Sequence, residues 1–108
     1  MPSDLIFLPQ HVQSDQIDAR SLSRLRWNCR RGLLENDLFL ARFFRKYAAS
    51  LTFRHAQALS ALMELGDGDL LDLNLARKSL LQVDPALDRD DVSEVLNMLR
   101  DHNHERPV

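Results

Sequence analysis

The chain has little of what hairpins, disulfides and membrane spans require. Its 108 residues include three glycines, four prolines and one cysteine, too few turn formers for a fold made of many strands. Cys29 alone closes no internal disulfide, and without neighbouring Cys or His residues it makes no closed zinc site. A reducing compartment fits that usage. No stretch offers the roughly 18 uncharged apolar residues of a membrane span. The N-terminus carries an apolar run of only four residues, Leu5 to Leu8, preceded by Asp4 and by no basic residue, so it does not read as a signal peptide. Three acids and no arginine in residues 1–19 argue against a mitochondrial transit segment. The expected location is the cytoplasm of a bacterium, with no membrane insertion.

Reactive patterns are equally scarce. No Ser or Cys sits in a nucleophile-elbow sequence, no glycine-rich loop precedes a lysine for phosphate, and no strand launches a dinucleotide fold. The four histidines, at positions 11, 55, 102 and 104, place no two ligands on one helical face. Residues 67–72, Asp-Gly-Asp-Leu-Leu-Asp, resemble a calcium loop but lack its glycine and terminal glutamate, so turn and helix cap is the better reading. Acids over 84–91 are read as caps and a solvated face rather than a carboxylate pair. The expectation is a protein that is not an enzyme, with no catalytic residue, no metal site and no tightly bound cofactor of its own.

What the chain does have is 44% hydrophobic residues and many Leu, Ala and Arg, all good helix formers. A domain of this size buries roughly 65% of its unfolded surface around one core. The net charge of −2 conceals a polarised molecule. Residues 1–19 sum to −3; residues 20–54 hold nine Arg or Lys against Glu35 and Asp37, a net of +7; residues 55–108 hold five against eleven acids, a net of −6. The arginines at 20, 24, 26, 30 and 31, with Trp27 to stack, have the composition of a nucleic-acid stripe. The acidic remainder of the chain would repel phosphate, and no nucleic-acid partner is expected.

Residues 1–19 show no sustained periodicity and read as a flexible leader, residues 20–103 as a single helical domain, and residues 104–108 as a frayed tail. A first helix capped by Ser21 or Ser23 runs to Arg31 and is ended by Gly32. The spacing of Leu34, Leu38, Ala41, Phe44 and Ala48, widened by Leu40 and Tyr47, predicts a second helix from Leu33 to about Ala49 with that stripe in the core. Thr52 caps a third, with Ala56, Leu59, Leu62 and Met63 inward and Gly66 stopping it. Asp69 caps a fourth that carries Leu70, Leu73, Ala76 or Arg77, and Leu80. Asp84-Pro85 breaks the chain, and Asp88 caps a fifth with Val92, Val95, Leu96 and Leu99 buried. The predicted fold is all-α, a compact bundle of about five short helices.

One segment is more specific. Trp27-Asn28-Cys29-Arg30-Arg31-Gly32-Leu33-Leu34-Glu35-Asn36-Asp37 resembles the signature of the succinate dehydrogenase FAD assembly factor family, whose hallmark is Arg-Gly-x-x-Glu, here Arg31, Gly32 and Glu35. Phe43-Phe44 and Ser50-Leu51 also sit where that family has them, and the acidic turn Glu64 to Leu70 matches a second feature, so the resemblance spans about residues 20–103. Departures lie in the fourth helix, where Gly68 stands for the family's proline and Leu71 and Leu73 for its aromatics, and at the start of the third, which shows Phe53-Arg54-His55 in place of acids.

The resemblance implies a compact helical protein that binds the flavoprotein subunit of succinate dehydrogenase, and sometimes of fumarate reductase, and promotes covalent attachment of FAD to it. FAD would be the partner's cofactor. The partner-binding residues so implied are Arg31, Gly32 and Glu35 with Trp27 and Arg30, on a monomer. Each also has a plainer reading. Gly32 suits a helix C-terminus, Glu35 suits a local pair with Arg31, Trp27 suits a core position, and Cys29 reads as buried filler. A regulatory, antitoxin-like protein-binding module is the alternative function.

Overall fold

The structure, a computed structural model, describes residues 16–30 and 32–101. Asp18 opens the first helix, α1 (Ala19–Asn28), its carboxylate accepting from the Ser21 N–H at 2.9 Å. An Asp at that position also gains from the helix dipole, which is why it displaces the serines expected as caps. The first helix consequently starts at Ala19, and described structure continues back to Gln16. Ile17 is in the core and its N–H donates to the Leu51 carbonyl, while Gln16 forms an isolated antiparallel bridge with Thr52. The remainder of the expected leader, residues 1–15, lies outside the described residues, as does the tail from His102 onward.

Cys29, buried, is the C-cap of α1, so the helix stops short of Arg31. The chain then turns through Gly32 into α2 (Leu34–Tyr47), which a 3₁₀ turn extends over Ala48–Ser50. α2 turns only part of the expected stripe inward: Leu40 and Phe44 are buried as expected, Leu34, Leu38 and Ala41 are not. Asn36, Leu40, Phe43 and Phe44 are buried, whereas Leu34 and Leu38 are 67% and 57% exposed. Two apolar stripes share this helix, and the presence of Asn36 in the inner one hides it from hydropathy. Asn36 is accommodated because its Nδ2 donates to the Asp67 carbonyl and its Oδ1 accepts from Asn74 Nδ2, both at 3.1 Å. Buried amides are tolerated only when bonded in this way.

Thr52 caps α3 (Phe53–Leu62) as expected, in a reciprocal box: its hydroxyl accepts from the His55 N–H, and its own N–H donates to His55 Nδ1 at 3.1 Å. Ala58, Leu59 and Leu62 are fully buried there. Gly66 proves to be the N-cap of the next helix, α4 (Asp67–Asn74), with Asp67 and Asp69 in its first turn, so Asp69 is not the cap. The long fourth helix expected is split. Ala76 adopts a left-handed φ of 61°, and a new one-turn helix, α5 (Leu80–Val83), starts under a Ser79/Gln82 capping box. That local bonding outcompetes helix continuation through Leu75 to Lys78.

Asp84 accepts from the Ala86 N–H to open a 3₁₀ turn at Pro85–Leu87, and α6 (Asp90–Arg100) follows with Arg89 rather than Asp88 as N-cap. Val92, Val95, Leu96 and Leu99 are buried as the spacing predicted. α6 packs along α3 and against α2 and α4. Its end is fastened twice: Arg100 Nε donates to the Leu73 carbonyl at 2.7 Å, and Asp101 accepts from both Lys46 Nζ and Tyr47 Oη at 2.9 Å. The result is an all-α bundle with five helices of at least eight residues and one of a single turn among the described residues. No helix there is long and apolar enough to cross a membrane.

Candidate functional site

The loop between α1 and α2 presents the residues that the sequence singled out. Trp27, on the last turn of α1, is 68% exposed, which removes the reading of it as core. The Arg30 guanidinium lies 5.1 Å from the centre of its ring. Gly32 has a φ of 91°, and a Cβ built on it would meet nothing within 4 Å. It sits three residues past the Cys29 cap and so is not the glycine that ends α1. Its left-handed conformation instead turns the chain into α2, and its N–H donates to Asp37 Oδ2 at 3.2 Å. Glu35 is exposed on the first turn of α2, where the dipole favours an anion, and has no hydrogen-bond or ion-pair partner among the described residues. Arg31 lies outside the described residues.

Beside this loop, α1 and α2 enclose a groove of about 580 Å³ lined by Arg26, Trp27, Arg30, Asp37, Ala41 and Phe44, with Cys29 and Leu40 beneath. The Arg26 guanidinium lies 5.3 Å from the centre of the Phe44 ring. Arg26, Asp37 and Ala41 were not among the residues expected here. Of these, Ala41 belongs to the Leu34-Leu38-Ala41 spacing expected in the core, which in fact lies on the outward side of α2. Trp27 on α1 and Leu34 and Leu38 on α2 are thus large apolar side chains left in water on the two helices joined by this loop, an arrangement typical of a surface that another protein covers.

A second hollow, on the far part of the sequence, is lined by Thr52, Phe53, Arg54, His55 and Glu94. His55 Nε2 lies 3.1 Å from Glu94 Oε2, and Arg54 also pairs with Glu94. Bonds from His55 and then Arg54 hold the Glu94 carboxyl below its ordinary range. His55 thereby serves the α3 cap and the α3–α6 contact, and the other three histidines lie outside the described residues. Among the described residues no three His, Cys, Asp or Glu side chains gather as metal ligands would. The acids of the 84–91 stretch are engaged locally: Asp84 caps a turn, and Asp91 pairs with Arg89 at 3.1 Å. Burial raises the Asp91 pKa, but the Arg89 and backbone bonds outweigh it and lower the value overall.

Residues 23–103 match the model of a protein family described as the flavinator of succinate dehydrogenase. A curated FAD assembly factor from Ralstonia nicotianae is 48% identical over 87 residues, covering 81% of this chain and 88% of its own. FAD assembly factors from Aliivibrio fischeri and Coxiella burnetii are 40% and 39% identical over 52 and 49 residues, covering 48% and 45% of this chain and 60% of each relative. No solved structure matches the chain.

Proposed function

The chain belongs to the flavinator of succinate dehydrogenase family, and on that premise we propose that it binds the flavoprotein subunit of succinate dehydrogenase and promotes covalent attachment of FAD to that partner. A fumarate reductase flavoprotein is a second client of the same kind. The protein works as a monomer in the bacterial cytoplasm, without inserting into a membrane and without catalytic residues of its own. The antitoxin-like alternative has no counterpart in the family description or in the names of these relatives.

The observation that carries this reading is the outward apolar face of Trp27, Leu34 and Leu38 set around the left-handed Gly32 loop. Partner contact is assigned to Arg31, Gly32, Glu35, Trp27 and Arg30. Gly32 removes a side chain where a partner backbone comes close, Arg31 brings a planar five-donor fork, and Glu35 brings an exposed charge. FAD is the partner's cofactor. The chain acts by holding flavoprotein segments so that the flavin and its acceptor side chain meet, an orientation effect.

Glu35→Gln tests this reading because it keeps shape and removes charge. Cells relying on this variant are expected to accumulate succinate dehydrogenase with less covalent flavin, seen as weakened flavin fluorescence of the flavoprotein on a denaturing gel. The purified variant is expected to melt within a few degrees of wild type, since an exposed carboxylate contributes under about 1 kcal/mol. Normal covalent flavin would remove the Glu35 charge from the function. A large fall in melting temperature accompanying the flavin loss would make Glu35 a structural residue instead.

A further inference from the structure

Resting on the reading of this face as the partner surface, we propose that the groove between α1 and α2 receives an apolar side chain and a neighbouring carboxylate from the flavoprotein, with Arg26 and Arg30 clamping the carboxylate. The two guanidiniums are already placed. Arg26 lies against Phe44 at 5.3 Å and Arg30 against Trp27 at 5.1 Å. A cation–π contact engages the charge of a guanidinium with the ring and does not use up its N–H donors. Neither arginine has an ion-pair partner among the described residues. Part of the ordering entropy that a flexible arginine loses on binding is therefore spent before the partner arrives.

The remaining lining sets the rest of the specificity. Leu40, Phe44 and Cys29 are buried and make an apolar floor, and Ala41 leaves room above it. A volume of about 580 Å³ falls in the range of pockets that enclose a small ligand or one or two side chains. The acid in the lining is Asp37, which accepts from the Gly32 N–H. Charge complementarity points the same way, because residues 20–54 carry a net +7 and attract an acidic segment. An anion here is met by the guanidinium forks, whose paired donors match the two oxygens of a carboxylate.

The test uses purified full-length chain and the flavoprotein subunit of succinate dehydrogenase lacking covalent flavin. Ala41→Trp fills the groove from an exposed helix position, and Arg26→Gln removes one fork. Ala41→Trp is expected to weaken capture by about tenfold or more, and Arg26→Gln to weaken it by less while making binding less salt-dependent. Both variants are expected to keep the wild-type circular dichroism and melting temperature. Gly32→Arg is run in parallel. If it blocks capture while Ala41→Trp binds like wild type, the groove assignment is overturned and the partner reading stands. If wild type itself does not capture the flavoprotein, both fall. Displacement of the flavoprotein by millimolar free FAD, lost in Ala41→Trp, would show a nucleotide site and overturn the carboxylate assignment.

Discussion

At Gly32 a single backbone angle separates two roles that a sequence cannot separate. A φ of 91° costs an L side chain roughly 1–2 kcal/mol, yet the space where its Cβ would stand is open. Gly32→Ala and Gly32→Arg therefore share the backbone cost and differ only in what they project outward. Both are expected to lower the melting temperature by a similar several degrees, and only Gly32→Arg is expected to abolish capture of the flavoprotein. Equal loss of capture by Gly32→Ala would mean that the loop conformation, and not the absence of a side chain, is what the partner needs. Trp27 shows the same division. Its type and place were legible, but indole rings are as common in cores as on binding faces, and burial depends on neighbours distant in sequence.

Between elements, the tie that sets α2 against α4 is the Asn36–Asn74 amide pair. Among the described residues Asn74 Oδ1 is buried without a hydrogen-bond partner, so the pair is incompletely satisfied and contributes less than its number of bonds suggests. Asn74→Leu is expected to destabilise by about 1–3 kcal/mol because it strands Asn36 Oδ1. The double variant Asn36→Leu/Asn74→Leu is expected to recover to within about 1 kcal/mol of wild type or to exceed it, since both polar groups then leave together. Denaturant midpoints of the two single variants and the double close the cycle. Additive losses would show that the two amides act independently.

The helices themselves were readable where local chemistry and burial agree. α6 has its apolar residues at the helical period with acids in the first turn, and α3 has its Thr52 cap, so both were placed nearly as found. α2 is placed, and Leu40 and Phe44 are buried as expected, but Leu34, Leu38 and Ala41 face water while Asn36 and Phe43 go inside, because the exposed positions are as apolar as the buried ones. The fourth helix was read too long, since a positive φ at Ala76 is invisible in the residue type. Asp18 was overlooked as a cap in favour of Ser21, which stands in the first turn and donates to it.

For the molecule as a whole, titration links these contacts to stability. Bonds from Ser21 lower the Asp18 pKa from 3.8, and bonds from His55 and Arg54 lower that of Glu94 from 4.5. A carboxyl depressed in the native state contributes stability above its ordinary value, and that contribution is lost as pH falls through the native value. An acid limb opening below about pH 4.5 is therefore expected in a denaturant-midpoint profile, shallower in Glu94→Gln. Burial lowers the Lys46 pKa, but bonds with Asp101 and Tyr47 outweigh it and raise the value above 10.5; burial and donation to Asp101 raise Tyr47 above 10.0. Both contributions are complete below those values and disappear as pH rises through the native ones. Asp101→Asn is expected to make the alkaline limb shallower, because the native values fall back toward the ordinary ones at which the loss begins. An unchanged alkaline limb in that variant would place the origin of the loss elsewhere.

The sequence by itself determined the helical class, the positions of most elements, the polarised charge and the short motif by which the family is recognised, because each is written in residue type and spacing within about one element. Tertiary structure alone decided which positions of α2 face water, that Trp27 stands exposed, and that Arg26 and Arg30 lie over aromatic rings beside a shared groove. Those features depend on how α1, α2 and α4 meet. The packing of residues far apart in the chain, and not any local preference, chooses which of two equally apolar faces is buried.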